Sequence, residues 1–328
     1  MCQKKVVILQ AYSKYIQKLI NMQERFNCAS TSKRTMTIVL VSIVFICLSA
    51  IQVHAMQPTK TIYLYPEGVA ESNGYTAQDE YYVPERGALY RTSEPRMDIY
   101  MPAKNGKSEG VTALLSCPGG GYSYTSVVNE GLNVAKYFVP RGYAVIVLKY
   151  RLPNGHANIP LSDAIRAMEI LRDSATVWGL NPHKIGVIGF SAGGHLAASL
   201  LTKFSSAKSR PDFGLLVYPV ISFDKTVYHG GSCRQLLGEQ PSAEQIENWS
   251  LDKQVSGATP PCWLIACQDD PTVPVENSIR FYQALTAYKV PSTMLLVPTG
   301  GHGWGFTHHF PMREVMEQSM MSFITSLR

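Results

Sequence analysis

The 328-residue sequence has few charged residues and no hydrophobic run as long as a membrane span. Only 16% of the residues are charged and 45% are hydrophobic. This composition excludes a disordered chain and provides apolar material for one large core. The longest apolar run, 38–51, is shorter than the roughly 20 residues that cross a bilayer. Internal repeats and low-complexity tracts are also missing, which favours a single globular domain.

The net charge of +6 gives no support to an acidic partner such as nucleic acid. Much of the basic excess lies before the apolar run, at Lys4, Lys5, Lys14, Lys18, Arg25, Lys33 and Arg34. Because this segment has the character of one that is removed, its charge says little about the folded domain. We expect no nucleic-acid partner.

The features of a secretory signal peptide occur in order before residue 56. The basic residues Lys33 and Arg34 precede the apolar run 38–51, and the small residue Ala55 follows it. A membrane anchor is the competing interpretation, but the run is short and no stop-transfer pattern follows. We therefore expect cleavage after Ala55, a secreted or periplasmic protein, and no stable membrane anchor.

The chain divides accordingly into a signal-peptide region, 1–55, and a folded domain, 56–328. The stretch before the apolar run is long for the charged part of a signal peptide. The true start codon therefore stays open, with Met22 and Met36 as internal candidates. The sequence leaves the oligomeric state open as well.

Cysteine is sparse in the expected mature chain, which keeps Cys117, Cys233, Cys262 and Cys267. An even number of cysteines in an oxidising compartment invites a disulfide interpretation. Cys262 and Cys267 lie on one predicted strand, where five steps of roughly 3.3 Å place them about 16 Å apart, too far for a bridge. We expect both as buried thiols, and whether Cys233 or Cys117 forms a disulfide stays open.

Two periodicities alternate along the chain from residue 111 onward. Short, nearly continuous apolar runs predict strands that are buried on both faces, at 111–117, 143–148, 184–190, 213–218, 261–267 and 293–297. Apolar residues that recur at three and four positions predict helices between them, at 132–138, 161–177, 194–201, 275–288 and 312–327. The alternation predicts an α/β fold with a mainly parallel sheet flanked by helices, whose functional residues follow the strands. Antiparallel strands are expected earlier, at 61–65 and 96–101.

The segment 221–257 interrupts this alternation. It is polar and contains the pair Gly230 and Gly231, then Pro241, and a short helical stretch at 243–249. Its position between two core strands suits a small cap over a functional site, and a plain surface excursion is the alternative.

The strongest local signal is the pentapeptide 189–193, Gly-Phe-Ser-Ala-Gly, which follows a predicted strand and precedes a helix predicted from Gly194. Small residues on both sides of the serine permit a sharp turn that exposes its hydroxyl at the end of the sheet. The helix N-terminus then favours negative charge on the reacting oxygen. A purely structural turn is the alternative, but this context predicts Ser191 as the nucleophile of an α/β-hydrolase fold.

A serine hydroxyl needs a base that is oriented by a carboxylate, in the chain order Ser, Asp, His. Asp270 follows the predicted strand 261–267 in the sequence Gln-Asp-Asp-Pro-Thr-Val-Pro. Its neighbour Asp269 is the rival. The acid commonly lies three residues before the Val-Pro pair, which selects Asp270 and leaves Asp269 as a solvated loop charge.

The candidate base is His302, which follows the predicted strand 293–297 in the sequence Gly-Gly-His-Gly-Trp. The glycines let the loop fold tightly enough to return the ring to the nucleophile. His308 and His309 lie beyond this loop and are expected to be exposed or near a helix start. A metal site is a further interpretation, but the spacing of Cys and carboxylate ligands is missing, and we expect no metal.

Attack on an ester creates an oxyanion that needs hydrogen-bond donors. The sequence Pro-Gly-Gly-Gly-Tyr at 118–122 follows the first core strand. Its glycines allow a close approach of the backbone, so the N–H of Gly120 or Gly121 is expected to join that of Ala192 as the oxyanion hole. A glycine-rich turn without this role is the alternative.

Three aromatic residues adjoin these loops: Tyr122, Tyr124 and Trp304. A flat aromatic face matches the apolar face of a sugar ring, so the three are candidates for substrate binding. Simple packing is an equally good interpretation.

These motifs together resemble secreted bacterial α/β-hydrolases of the acetylxylan esterase, or carbohydrate esterase, type. The resemblance extends from about residue 96 to the C-terminus and rests on PGGGY at 118–122, KYRL at 149–152, GFSAGGHLA at 189–197, the Asp270 loop and GGHGWG at 300–305. Pro118 stands where many related lipases and esterases have His, which favours the sugar-esterase branch over the hormone-sensitive-lipase branch.

The resemblance implies Ser191, Asp270 and His302 as a triad that removes acetyl groups from plant polysaccharide such as xylan, through an acyl-enzyme and without a cofactor. The expected partner is an acetylated polysaccharide or oligosaccharide. A feruloyl or short-chain carboxylesterase is the alternative. A dipeptidyl-type peptidase is disfavoured, because the roughly 100 residues before the first hydrolase strand cannot hold its propeller. A non-catalytic polysaccharide-binding protein is disfavoured because every triad position is filled.

Overall fold

The computed structural model describes residues 56–103 and 110–327. The predicted signal-peptide region, its cleavage site and the open start codon therefore lie outside the described residues. Within the described part of the chain, every helix is too short or too polar to cross a membrane.

The main sheet has eight strands in the order β1-β4-β7-β5-β8-β9-β10-β11. Their bounds are β1 Lys60–Tyr63, β4 Arg96–Tyr100, β5 Val111–Cys117, β7 Ala144–Lys149, β8 Leu180–Phe190, β9 Gly214–Val217, β10 Cys262–Cys267 and β11 Ser292–Val297. Strands β7, β5, β8, β9, β10 and β11 pair in parallel, whereas β1 and β4 pair antiparallel. The predicted α/β fold with a mainly parallel sheet is confirmed.

A small antiparallel sheet lies beside residues 118–122, which are called the oxyanion loop after their predicted role. Two of its strands precede this loop in the sequence and one follows it. The small sheet contains β2 (Tyr81–Val83), β3 (Ala88–Tyr90) and β6 (Tyr124–Thr125). Because β6 follows that loop directly, the small sheet fixes the direction in which the chain leaves it.

Seven α-helices occur in the described residues. They are α1 Asn133–Phe138, α2 Asn158–Trp178, α3 Ser191–Thr202, α4 Gly230–Leu237, α5 Ala243–Asn248, α6 Glu276–Ala287 and α7 Arg313–Ser326. A π-helical turn, Val128–Leu132, leads directly into α1. The predicted helices are all present, and their ends differ from the predicted ones by a few residues.

The core forms one apolar layer on each face of the main sheet. Alternate residues of a strand point to opposite faces, so Ala113 and Leu115 of β5 belong to one buried cluster and Leu114 to the other. Helices α2 and α3 contribute to the first layer, and α1 and α7 to the second. Burial on both faces explains why the strands are nearly continuous apolar runs.

The segment 221–257 carries α4 and α5. It is anchored to the core by buried apolar side chains, among them Leu236, Trp249 and Leu251. The four cysteines after residue 56 that the structure describes are buried and free. Burial raises the pKa of Cys117, Cys262 and Cys267 above the ordinary value, so these thiols behave as small apolar core groups.

Candidate active site

The serine of the pentapeptide lies at the junction of β8 and α3. Ser191 is itself the first residue of α3, three residues before the predicted helix start. Its φ of 53° falls in the left-handed region, which is a strained conformation for a residue with a side chain. A Cβ at Gly189 would lie 2.4 Å from the carbonyl oxygen of Gly193, and a Cβ at Gly193 would lie 2.1 Å from that of Cys117. The tight turn therefore needs glycine at both positions, as the motif predicts.

The structure brings Ser191, His302 and Asp270 into one hydrogen-bonded chain. The hydroxyl of Ser191 lies 2.9 Å from Nε2 of His302, and Nδ1 of His302 lies 2.7 Å from Oδ2 of Asp270. A carboxylate only accepts hydrogen bonds, so Nδ1 carries the proton and Nε2 is free to accept the serine proton. This is the arrangement that turns a serine hydroxyl into a nucleophile.

The loop after β10 fixes the orientation of Asp270. Its Oδ1 accepts the backbone N–H groups of Thr272 at 2.8 Å and Val273 at 2.9 Å, and its side chain is 2% exposed. With one oxygen held by the backbone, the other faces His302.

Asp269 has a role that the sequence interpretation missed. It is exposed, as expected for a solvated loop charge, but its carboxylate accepts the hydroxyl of Thr299 at 2.8 Å and the N–H groups of Gly300 at 3.2 Å and Gly301 at 2.8 Å. These donors lower the pKa of Asp269. Asp269 is therefore the exposed loop charge that was expected, and it also anchors the loop that carries His302.

The glycine-rich loop lies against the start of α3. A Cβ at Gly119 would come within 3.0 Å of Cβ of Ser191. Among the described residues, the N–H groups of Gly120 and Gly121 have no acceptor, and the N–H of Ala192 belongs to the first helical turn, whose donors lack intrahelical partners. The loop with Gly120 and Gly121 and the N–H of Ala192 thus meet at the serine, and their role as oxyanion donors stays a prediction.

The hydroxyl groups of two buried tyrosines hold this loop in place. Tyr150, which follows β7, donates to the carbonyl oxygen of Pro118 at 2.7 Å. Tyr122 donates to Nδ1 of His195 on α3 at 2.9 Å. One residue of the KYRL motif and one of the GFSAGGHLA motif therefore contact the same loop.

His195 is buried, and its hydrogen-bond partners determine which ring nitrogen carries the proton. Nε2 lies 2.9 Å from the carbonyl oxygen of Trp249, which only accepts, so Nε2 is protonated and Nδ1 accepts from Tyr122. The ring stacks on Phe223 at 4.7 Å. Burial lowers the pKa of His195 to about 4. The neutral ring therefore connects the helix of the serine to the segment 221–257.

Two of the three candidate sugar-stacking residues are packed in the core. Tyr122 is 1% exposed, and Trp304 is 6% exposed and stacks on Phe310 at 3.8 Å. Neither ring has a free face for a sugar, so the stacking prediction is wrong for these two and packing explains them. Tyr124 is half-buried beside Tyr90, at 5.1 Å between ring centroids, and its binding role stays a prediction.

His229 is a residue at the site that the sequence interpretation did not single out. It precedes α4 within the segment 221–257, and its Nδ1 accepts the N–H of Ser232 at 3.2 Å. A Cβ at Gly121 would lie 3.8 Å from Cε1 of His229. Burial, and then the nearby His302, lower the pKa of His229. The segment therefore reaches the oxyanion loop, and only its distance in the sequence hid this contact.

The rival histidines lie apart from the triad. His308 and His309 are exposed, and His308 contacts the guanidinium group of Arg313 at 2.8 Å. In the described ranges, 56–103 and 110–327, no group of three or more His, Cys, Asp and Glu side chains could hold a metal ion.

Comparisons with known proteins find relatives that are named as esterases, a xylanase and an ester hydrolase. The BD-FAE family model matches residues 97–229. The chain is 38% identical over 219 residues to an acetylxylan esterase of Xylanibacter ruminicola, covering 66% of this chain and 45% of that protein. It is 32% identical over 261 residues to endo-1,4-beta-xylanase B of Butyrivibrio fibrisolvens, covering 75% of this chain and 39% of that protein. The chain thus spans less than half the length of these two curated relatives.

A solved structure matches over almost its whole length. It is the crystal structure of an acetyl ester-xyloside bifunctional hydrolase from Caldicellulosiruptor lactoaceticus, with a TM-score of 0.66 and 31% sequence identity. The match covers 82% of this chain and 98% of that one. The shared region therefore includes nearly all of that relative's chain.

Proposed function

The chain belongs to the α/β-hydrolase esterases of the acetylxylan esterase type, and from this premise we propose that it removes acetyl groups from xylan-type polysaccharide. The observation that carries the proposal is the chain of contacts from Ser191 through His302 to Asp270. The names of the acetylxylan esterase and the acetyl ester-xyloside hydrolase support the substrate.

The first half of the reaction acylates the serine. Nε2 of His302 removes the proton as Oγ of Ser191 attacks the acetyl carbonyl carbon, and Asp270 stabilises the imidazolium that forms. The C–O bond to the sugar then breaks, and His302 returns the proton to the departing sugar oxygen. The product of this half is an acetylated serine and a free sugar hydroxyl.

The second half releases acetate. His302 takes a proton from water, the hydroxide attacks the acetyl carbonyl, and the serine oxygen leaves with the proton. In both halves the carbonyl oxygen becomes negatively charged, and we assign its stabilisation to the N–H of Ala192 and to Gly120 or Gly121. Each such donor accounts for about 3 kcal/mol of transition-state stabilisation in serine hydrolases.

Two of the relatives have names that refer to glycoside cleavage, but the site supports ester cleavage. Glycoside hydrolysis uses two carboxyl groups that flank the scissile bond. The carboxylates Asp270 and Glu130 lie near Ser191, and in each both oxygens already accept protein donors. Neither is free to protonate a glycosidic oxygen.

The decisive test of the nucleophile is Ser191→Ala. Hydrolysis of p-nitrophenyl acetate should fall by several orders of magnitude, because the remaining groups provide only a small residual rate. Ser199→Ala is the matched control, since Ser199 is a buried serine of the same helix that donates only to a backbone carbonyl. Equal turnover by Ser191→Ala and the wild type would refute the proposal and favour a binding protein.

The substrate is tested by product release from natural polymers. Purified protein should release acetate from acetylated xylan faster than from acetylated pectin, and should release little ferulate from feruloylated arabinoxylan. A preference for feruloylated arabinoxylan would replace the acetyl assignment with the feruloyl alternative.

We also propose that the protein acts outside the cytoplasm. In residues 33–55, basic residues, an apolar run and a small residue follow one another as in a signal peptide, which supports export. The location of plant polysaccharide outside the cell supports it as well. N-terminal sequencing of protein from the culture fluid or periplasm should begin at Met56, and an uncleaved chain in the cytosol would contradict this.

A further inference from the structure

A buried carboxylate outside the triad joins two loops that meet at Ser191. Glu130 lies in the π-helical turn Val128–Leu132 and is 4% exposed. Its Oε2 accepts the N–H of Gly119 in the oxyanion loop at 2.6 Å, and its Oε1 accepts the hydroxyl of Tyr218 at 2.7 Å. Because a buried carboxylate without partners is costly, this pairing explains how the charge is accommodated.

Tyr218 extends the connection to the loop that carries His302. Its hydroxyl accepts the N–H of Gly305 at 2.8 Å while donating its own proton to Glu130. Its ring centroid lies 4.7 Å from that of His302. The φ of Tyr218 is 37°, a conformation that residues with side chains rarely adopt, so the local structure holds the ring there against strain.

Asn129, the neighbour of Glu130 in the π-helical turn, binds the loop that carries His302. Nδ2 of Asn129 donates to the carbonyl oxygen of Gly303 at 2.9 Å. A Cβ at Gly305 would come within 2.7 Å of Oδ1 of Asn129. Single π-helical turns occur frequently at functional sites, and here the turn directs Asn129 to the histidine loop and Glu130 to the oxyanion loop and Tyr218.

We propose that Glu130 is a positioning residue of the esterase, which fixes the oxyanion loop against the histidine loop through the hydroxyl of Tyr218. The reaction it serves is the proposed ester hydrolysis. The interpretation of Glu130 itself depends on the contacts described above.

The connection depends on Glu130 as an acceptor on both sides. Its Oε2 faces the oxyanion loop and its Oε1 faces Tyr218, whose hydroxyl faces the histidine loop. Burial raises the pKa of Glu130, whereas the hydroxyl of Tyr218 and the N–H of Gly119 act in the opposite direction. Removal of either the carboxylate or the Tyr218 hydroxyl should therefore disconnect the two loops.

The carboxylate is tested with Glu130→Gln, which keeps the shape of the side chain but replaces one acceptor oxygen with an amide donor. The amide proton resonances of Gly119 and Gly305, which lie at the two ends of the connection, should both move in NMR spectra. The kcat for p-nitrophenyl acetate should fall about 10- to 100-fold, because small displacements of reacting groups have effects of this size. The KM should stay within about threefold, since Glu130 is buried away from the substrate.

Tyr218→Phe interrupts the connection at its second step. It removes the hydroxyl that joins Glu130 to Gly305 but leaves the carboxylate beside Gly119, so kcat should fall about tenfold and the Gly305 resonance should move, while that of Gly119 stays close to its wild-type position. Ser116→Ala is the matched control. Its hydroxyl donates only to the backbone carbonyl of Glu130, at 2.7 Å, so kcat and both resonances should stay close to wild-type values.

The outcomes distinguish the alternatives. Unchanged Gly119 and Gly305 resonances in Glu130→Gln, or wild-type kcat in Tyr218→Phe, would overturn the proposal, and the second variant decides the matter if the first does not fold. An equal loss in Ser116→Ala would reduce Glu130 to a structural role. If the wild type failed to hydrolyse the ester while both resonances still moved in Glu130→Gln, the proposed function would fail and the connection between the two loops would stand.

Discussion

The hydroxyl of Tyr122 donates a hydrogen bond to Nδ1 of His195, and through it the oxyanion loop is attached to the helix that begins with the nucleophile. The opposite ring nitrogen donates to the backbone of Trp249. With Nε2 donating, the neutral imidazole is the form whose Nδ1 accepts the Tyr122 proton, and a second proton on the ring would take this acceptor away.

This relationship predicts a specific acid sensitivity. The pKa of His195 is lowered by burial from an ordinary value near 6.5 to about 4, so below pH 6.5 the unfolded chain binds a proton that the folded chain refuses. The contribution of His195 to the free energy of unfolding is therefore fully present above about pH 6.5. It is lost between pH 6.5 and 4, which lowers the free energy of unfolding by up to about 3 kcal/mol.

Urea unfolding between pH 4 and 8 measures the effect. The variant His195→Asn should be less stable than the wild type at pH 8, because it loses packing and hydrogen bonds, but its stability should decline less steeply between pH 6.5 and 4. Parallel curves for the two proteins would show that His195 is not the group responsible.

Substitution of the adjacent residues Asp269 and Asp270 should lower kcat to very different extents. Asp270→Asn cannot hold the required ring tautomer of His302, so kcat for p-nitrophenyl acetate should fall about 10⁴-fold. Asp269→Asn replaces only an anchor of the loop backbone, and a loss of about 3- to 30-fold is expected. A reversed order of the two losses would exchange their assignments.

Gly193 should not tolerate even a methyl group. A Cβ there would lie 2.1 Å from the carbonyl oxygen of Cys117 and 2.5 Å from that of Pro118, and both obstacles are backbone atoms. Although alanine favours a helix, Gly193→Ala should lower the free energy of unfolding by about 1–3 kcal/mol and reduce activity, because the oxyanion loop must move. Gly257→Ala, which meets nothing within 4 Å, is the control and should be neutral in both assays.

Replacement of one partner of the buried ion pair between Arg151 and Asp163 should lower the free energy of unfolding far more than replacement of both. Their side chains are 3% and 0% exposed and lie 2.6 Å apart, and burial raises the pKa of Asp163 despite the arginine. Arg151→Met leaves an unpaired buried carboxylate, which should lower the free energy of unfolding by about 3–5 kcal/mol. The double variant with Asp163→Leu should recover most of the loss in urea unfolding. No recovery would mean that Arg151 acts mainly through its other contacts.

The sequence predicted those parts of the site that are encoded locally. The strand-to-helix pentapeptide locates Ser191, and the loops after β10 and β11 locate Asp270 and His302, because parallel strands bring their carboxyl ends to one edge. Even here the start of α3 was placed three residues late, since the glycines after Ser191 weaken the helical pattern although the tertiary structure accommodates them.

The supporting residues could not be predicted in this way. Glu130 contacts Gly119 and Tyr218, and 88 positions separate it from the latter, so no spacing rule connects them. Adjacency to the motif loops was also misleading for Tyr122 and Trp304, because a residue beside a site can point into the core as readily as toward substrate. Burial of a particular ring depends on tertiary packing, which the local pattern does not contain.

Asp269 and Asp270 follow the same strand, and the loop that both carboxylates bind follows the strand beside it. Strands β10 and β11 pair in parallel over six residues, from Cys262 with Ser292 to Cys267 with Val297, and β11 forms the edge of the sheet. The triad acid and the triad base therefore follow two neighbouring strands at the edge of the sheet. If β11 separated from β10, the contacts of the His302 loop with Asp269 and Asp270 would be lost together. In a mutant library aimed at substrate range, this strand pair is the part to leave constant while the segment 221–257 is varied.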